Sequence, residues 1–250
     1  MFLANAALAA GLPRPLQDGG AAKVVAVIDG DTVTLEDGRE VRLVGIQAPK
    51  LPLDRPGFAA WPLADAAKAA LESRALGKSV RLGYGGARFD RHGRVLAHLY
   101  VDGGEWLQGG MLQAGLARVY SFADNRALVA DMLALERAAR RTRRGVWDEP
   151  YYAVVPAERA RGQLDRFALV EGQVVSARVV DGRGYLNFGT DYRTDFTVSI
   201  APADRRGFER AGRAIQSYEG RRVRVRGWVE LLNGPMIEAT HPEQIEILEE

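Results

Sequence analysis

Hydrophobic positions recur along this chain with two periods. Lys23–Leu35 alternates Val, Ala, Ile and Thr about Asp29-Gly30-Asp31, the period-two rhythm of strand, bend, strand. Glu36-Asp37-Gly38-Arg39 predicts a hairpin turn, and Val41–Ile46 its partner strand. Leu51–Trp61, with Pro52, Pro56 and the following Pro62, reads as a loop. In Leu63–Ala75 the period changes: Leu63, Ala66, Ala67, Ala70 and Leu71 share one helical face, and Gly77 is placed to stop it. Ser79–Gly83 and Val95–Val101 read as strands flanking an arginine-rich loop. Trp106–Ala114 reads as a short helix ending at Gly115, with Trp106, Leu107, Met111 and Leu112 as core. Arg126–Arg143 reads as a long helix, with Leu128, Met132, Leu135 and Ala139 at core spacing.

A second block follows a boundary near residues 149–165. Phe167–Val180, Tyr185–Phe188, Asp195–Ile200, Arg222–Leu231 and Pro235–Ala239 are strand-like, and Phe208–Tyr218 has helical spacing. Three strands, a helix and two strands is the order of a five-stranded Greek-key barrel of the OB type. The expected fold class is mainly β with α (α+β): an OB-type barrel with added helices, then a second, smaller OB-type barrel. The expected divisions are a leader at 1–22, a first domain at 23–148, a linker at 149–166 and a second domain at 167–250.

Composition narrows the classes. The chain has 250 residues, 47% of them hydrophobic and 26% charged, enough to bury a real core and unlike a disordered, collagenous or coiled-coil chain. No apolar run reaches the ~18 residues of a membrane span. The absence of cysteine excludes disulfides, thiolate metal sites and a cysteine nucleophile. Three histidines, His92, His98 and His241, leave little for a multi-histidine zinc site. His98, inside an alternating strand, reads as solvated or hydrogen-bonded, and His241 as structural. Net charge is only +2, yet 30 of the 34 cations are arginine, clustered at Arg81, Arg88, Arg91 and Arg94 and again over 134–145. Arginine suits bidentate phosphate contact, although such clusters are equally the solvated faces of an arginine-rich protein. Met1–Ala10 is apolar with small-residue steps, like the back half of a secretory signal without its basic start. Export to the periplasm or medium is one expectation; an alanine-rich leader on a cytoplasmic protein is the other.

Four separated motifs then appear in order: Val27-Ile28-Asp29-Gly30-Asp31-Thr32-Val33, Val41-Arg42-Leu43-Val44-Gly45-Ile46, Phe89-Asp90-Arg91-His92-Gly93-Arg94-Val95-Leu96-Ala97 and Ala114-Gly115-Leu116-Ala117. Together they make residues 23–148 resemble the staphylococcal nuclease (thermonuclease-like) family. The resemblance implies a calcium-dependent phosphodiesterase acting on DNA or RNA, built on an OB-type barrel. Such chemistry needs a hard cation on oxygen ligands, a base for the attacking water, and guanidiniums that offset the charge of the transition state. By position, Asp31 matches a metal carboxylate, Asp29 a neighbouring acid, Arg42 and Arg94 the two phosphate-clamping arginines, and Asp90 a loop residue before the second of these. Arg88 and Arg91 add cations beside the clamp. Tyr120 and Phe122 lie near where the family has tyrosines lining the nucleotide site.

Two departures bear on catalysis. The family's second metal aspartate falls on Gln47 and its general-base glutamate on Lys50; the threonine whose carbonyl binds the metal falls on Ala48. Calcium affinity follows ligand charge, so weakened or absent binding is expected, and losing a general base costs ~10²–10⁴ in rate. Three rescues are open. Asp54 could swing in as ligand or base. His92, at the family's tyrosine position, offers a side-chain type that titrates near neutrality. Lys50 could neutralise the site in the metal's place.

The second block resembles OB-type nucleic-acid-binding domains at the level of pattern. Arg222, Arg224 and Arg226 alternate with valines and so project from one strand face, with Tyr185, Phe188 and Tyr192 as possible stacking platforms. Against this, residues 151–250 hold 14 cations and 15 acids, a weak charge for gripping phosphates. The functions left open are a phosphodiesterase with an altered site, a nuclease-like nucleic-acid-binding module without turnover, and a protein-interaction scaffold. No obligate protein partner is indicated.

Overall fold

Strand β1 (Gln17–Asp29) is thirteen residues long and serves two neighbours, and the first barrel closes around it. The computed structural model describes residues 12–248. These fall into two compact units divided after Tyr151. In the first, β1 is followed by β2 (Thr32–Leu35), β3 (Glu40–Leu43), β4 (Gly45–Gln47), helix α1 (Ala64–Ala75), β5 (Ser79–Tyr84), β6 (Val95–Val101), α2 (Leu107–Gln113), β7 (Arg118–Tyr120) and α3 (Val129–Arg141). The barrel runs β1-β2-β3-β6-β5 and back to β1, with β3 and β6 parallel. Val24, Val33, Leu35, Val41, Leu43, Val80, Leu82, Ala97 and Leu99 fill it, with Leu71 of α1 and Met111 of α2 in the same core.

The fold begins earlier than the alternation at Lys23 suggests. Gln17 pairs with Tyr84 and Asp18 with Gly83, so residues 17–22, expected in a leader, are barrel strand. Gly19-Gly20 forms a bulge, where the register shifts between Asp18 and Ala21 and Gly20 takes φ +81°. The signal-like stretch Met1–Ala10 lies outside the described residues. Among those described, no helix is long and apolar enough to cross a membrane.

The second unit contains β8 (Val155–Pro156), β9 (Arg166–Gln173), β10 (Ser176–Val180), β11 (Arg183–Asn187), β12 (Thr197–Ile200), α4 (Pro202–Arg210), β13 (Arg222–Leu232), β14 (Gly234–Glu238) and β15 (Ile245–Ile247). The single strand expected over Phe167–Val180 bends at Val174-Val175. Its amide groups still bond on both sides there, Val174 to Arg221 and Val175 to Asn187. With β9 and β10 taken as one bent strand, the pairing is β9/β10-β11-β12-β14-β13 and back to β9, and β12–β14 is parallel. This is the circuit of the first barrel, and it matches the OB-type expectation.

Two segments differ from their sequence reading. The expected linker at 149–166 holds β8, paired with β9, and Ala157 and Ala160 lie in the second core. Helix α4 starts at Pro202 rather than Phe208, because proline fits a helix's first turn. Gly212, at φ +69°, follows it before a short 3₁₀ turn at Ile215–Tyr218.

His98 on β6 is buried rather than solvated, and burial pushes its imidazole down to about 4, opposed by a hydrogen bond to the Ala127 backbone. The unfolded chain protonates this group near ~6.5 while the fold keeps it neutral to about pH 4, so stability is lost as pH falls between those values. The loss expected from this group is about 3 kcal/mol. Chemical denaturation across that window should show a steeper acid loss for the native chain than for His98→Leu; parallel curves would contradict a neutral buried imidazole.

Candidate active site

The turn joining β1 to β2 points two carboxylates to one place. Gly30 separates them because a Cβ there would lie 2.7 Å from the Cβ atoms of both Ala48 and Ala67. Asp31 is wholly buried. Its Oδ1 accepts from Arg42 Nη1 at 2.7 Å, Lys50 Nζ at 2.7 Å and the Thr32 hydroxyl at 3.3 Å. Its Oδ2 accepts from the Ala48 backbone N–H and from Lys50 Nζ, both at 2.7 Å. Asp29, also buried, accepts the Asp31 N–H on Oδ1 and Lys50 Nζ, at 3.1 Å, on Oδ2. The Lys50 ammonium therefore bridges the two acids. Its backbone is fixed as well, since the Lys50 carbonyl accepts the Trp61 N–H and closes the proline-bearing loop.

Burial alone would raise the Asp31 carboxyl, but the charges of Arg42 and Lys50, helped by the Ala48 N–H, hold it well below the usual carboxylate range. Asp29 moves the other way: burial and the neighbouring charge of Asp31 raise it, with Lys50 opposing. Arg42 also donates through Nη2 to the Ile46 carbonyl at 3.2 Å, and its side chain is 12% exposed. Gly45, at φ +84°, turns the chain into β4. Gln47 there accepts from Arg118 Nη2 at 2.8 Å, across the β4–β7 pairing. Sequence reading missed Arg118, which is buried; strands of three residues, 71 positions apart, leave no pattern to connect them.

Arg94 stands just before β6. Val41 pairs with Val95 and Arg42 with Leu96, so Arg94 shares the outer barrel face with Arg42. It does not reach for Asp31. Its Nε and Nη2 hold Asp90 Oδ2 at 2.8 and 2.7 Å, while Asp90 Oδ1 accepts the N–H groups of His92 and Arg94. His92 is exposed and its Nε2 meets Arg91 Nε at 3.1 Å. Asp54 is exposed too, in a left-handed conformation at φ +60°. Arg88 lies over the Tyr84 ring. Tyr120 and the exposed Phe122 meet edge to face, with centroids 4.8 Å apart.

Residues 40–149 match the family model described as staphylococcal nuclease homologue. An uncharacterised endonuclease of Escherichia coli is 32% identical over 130 residues, covering 51% of this chain and 76% of the relative. The thermonuclease of Staphylococcus hyicus is 27% identical over 128 residues, 50% of this chain and 74% of that one. The chain belongs to the staphylococcal nuclease family.

The family resemblance brings a calcium ion into question, and the donors here do not fit one. Calcium takes six to eight oxygen ligands. Both oxygens of Asp31, both of Asp29 and Oε1 of Gln47 already accept N–H donors, most of them from cations, and Ala48 presents its N–H to the acid. Among the described residues no group of three His, Cys, Asp or Glu side chains could hold a metal.

In the second unit the expected arginine row is broken up by ion pairing. Arg222 and Arg224 both bind Glu171, at 2.8 and 2.6 Å, and the buried Arg226 binds Glu246 at 2.5 Å. Phe188 is a core ring packed on Phe196, not a platform, whereas Tyr192 is exposed beside Arg193. The acids come from paired strands, which a single-strand pattern does not show.

Breaking a buried charge pair by removing one partner is costly, because the other is left uncompensated. Asp31→Ala should lower the unfolding free energy by about 3–5 kcal/mol, measured by chemical denaturation at neutral pH. A change within the ~0–1 kcal/mol typical of exposed ion pairs would show that the acid does not organise Arg42 and Lys50.

Proposed function

We propose that this chain engages the phosphodiester backbone of DNA or RNA on the barrel face bearing Arg42 and Arg94, as a nuclease-family protein whose hydrolytic step is impaired. The family is one of nucleases, and nucleic acid is the substrate class it supports. The observation behind this reading is the state of the two carboxylates. Asp31 is buried under Arg42 and Lys50, and Lys50 occupies the base position as a bridging cation. A cation so held cannot take a proton from water, so the step normally worth ~10²–10⁴ in rate lacks its usual agent. Charge neutralisation survives: a guanidinium has five N–H groups, and Arg42 commits only one each to Asp31 and Ile46.

One observation favours residual cleavage as a second reading. Asp29 is a carboxyl pushed up by burial and by its acidic neighbour, the direction that tunes a carboxylate toward base work. Export, and nucleic-acid contact by the second barrel, stay as further parts of the proposal. Tyr120, Phe122, Arg88 and Arg91 would line the strand's path.

Binding and cleavage are separable. Fluorescence anisotropy with labelled single-stranded DNA and RNA should show salt-dependent binding, with Arg42→Ala and Arg94→Ala each weakening it about tenfold and flattening the salt slope by about one. Electrophoresis of the same oligonucleotides with calcium, magnesium, manganese or chelator reads cleavage. Binding indifferent to both substitutions would remove the phosphate grip, and rapid cleavage would remove the impaired step.

A further inference from the structure

The Asp31 carboxylate and the Lys50 ammonium fill one another's hydrogen-bonding capacity. A carboxylate offers about four lone-pair sites, and that of Asp31 receives hydrogen bonds from Arg42, Ala48, Thr32 and, on both oxygens, Lys50. A lysine ammonium has three N–H donors and no acceptor. Lys50 has three contacts, to Asp31 Oδ1, Asp31 Oδ2 and Asp29 Oδ2, at 2.7, 2.7 and 3.1 Å. Neither the Asp31 carboxylate nor the Lys50 ammonium has capacity left over, whereas Asp29, with one donor on each oxygen, keeps lone pairs to spare. The ammonium lies between the carboxylates, where an added cation would have to displace it and then meet Arg42 across Asp31 and Arg118 across Gln47. Both routes are unfavourable: displacement breaks the Lys50 ion pairs, and like charges would crowd a buried site.

We propose that Lys50 is a built-in monovalent cation that takes the place of a divalent metal against Asp31, bridging it to Asp29, so that the site is assembled without any metal. Three consequences follow from the contacts. The carboxylates hold their positions in the resting protein, with no ion needed to draw them together. Arg42, braced on Asp31, keeps its orientation in the presence of chelator. The ammonium, saturated by its acids, acts on an incoming phosphate through its field and not by direct hydrogen bonding. The inference rests on the acid pair alone, so it stands or falls separately from the nucleic-acid reading.

The test needs no substrate. Calcium is titrated into the full chain by calorimetry, and thermal unfolding is followed in millimolar calcium chloride and in EDTA, for the native chain, Lys50→Glu, Lys50→Gln and Lys50→Arg. The native chain and Lys50→Arg should give no saturable calcium heat and the same Tm in both buffers. Lys50→Glu should melt about 5 °C lower or more in EDTA, bind one calcium, and regain stability with it. Lys50→Gln should be destabilised likewise, with a smaller recovery because its ligands carry less charge. Stoichiometric, stabilising calcium binding by the native chain would overturn the proposal. So would glutamate and glutamine variants that melt like the native chain and ignore calcium. If Lys50→Glu is insoluble, recovery of folded protein on refolding with calcium supports the proposal; without it, Lys50→Gln decides by the same criteria.

Discussion

Everything at the candidate site is arranged around one buried anion. The Asp31 carboxylate is removed from water at the β1–β2 turn, and an isolated charge there would be expelled or neutralised. It is retained because two cations and a backbone N–H meet it at 2.7 Å. Arg42 is thereby fixed to β3, Lys50 to the start of the proline-bearing loop, and Ala48 to the segment between them. The residues that satisfy Asp31 all lie within positions 32–50, on β2, β3 and the segment that follows β4.

The two units show how one circuit of strands is realised with different chemistry on its surface. Each has a long first strand that serves both sides, a parallel pairing between the third strand and the last, and a helix inserted after the third. In the first, Asp29 and Asp31 are met by Arg42 and Lys50 in one cluster, while Arg94 pairs with Asp90 apart from it. In the second, three arginines meet two acids on adjoining strands, Arg222 and Arg224 on Glu171 and Arg226 on Glu246. An arginine-rich strand is not in itself a grip for phosphate; what its neighbours present decides whether the charge is available.

Much of this was legible in the sequence where local pattern and chemistry coincide. The alternation around Asp29-Gly30-Asp31 and Val41–Ile46 placed both strands, and the spacing of Leu63, Ala67 and Leu71 placed α1. Asp31 with Arg42 followed from the family motif. What was not legible depends on contacts distant along the chain. Residues 17–22 looked like leader because their glycines hide a bulge whose partner is β5. Residues 149–166 looked like linker because their small alanines pack only against later strands. The role of Lys50 was visible as a substitution, but its position between two acids was not. Arg118 gave no signal at all, since nothing local ties it to Gln47.

The parallel pairing of β3 with β6 joins residue 41 to residue 95 and cannot form until the latter exists. A chain emerging from the ribosome displays Asp29, Asp31, Arg42 and Lys50 well before Arg94 and Arg118 follow. Until that pairing forms, Arg42 and Arg94 belong to separate segments. The shared face of Arg42 and Arg94 is therefore set by a pairing of high sequence separation, a class of contact that forms slowly.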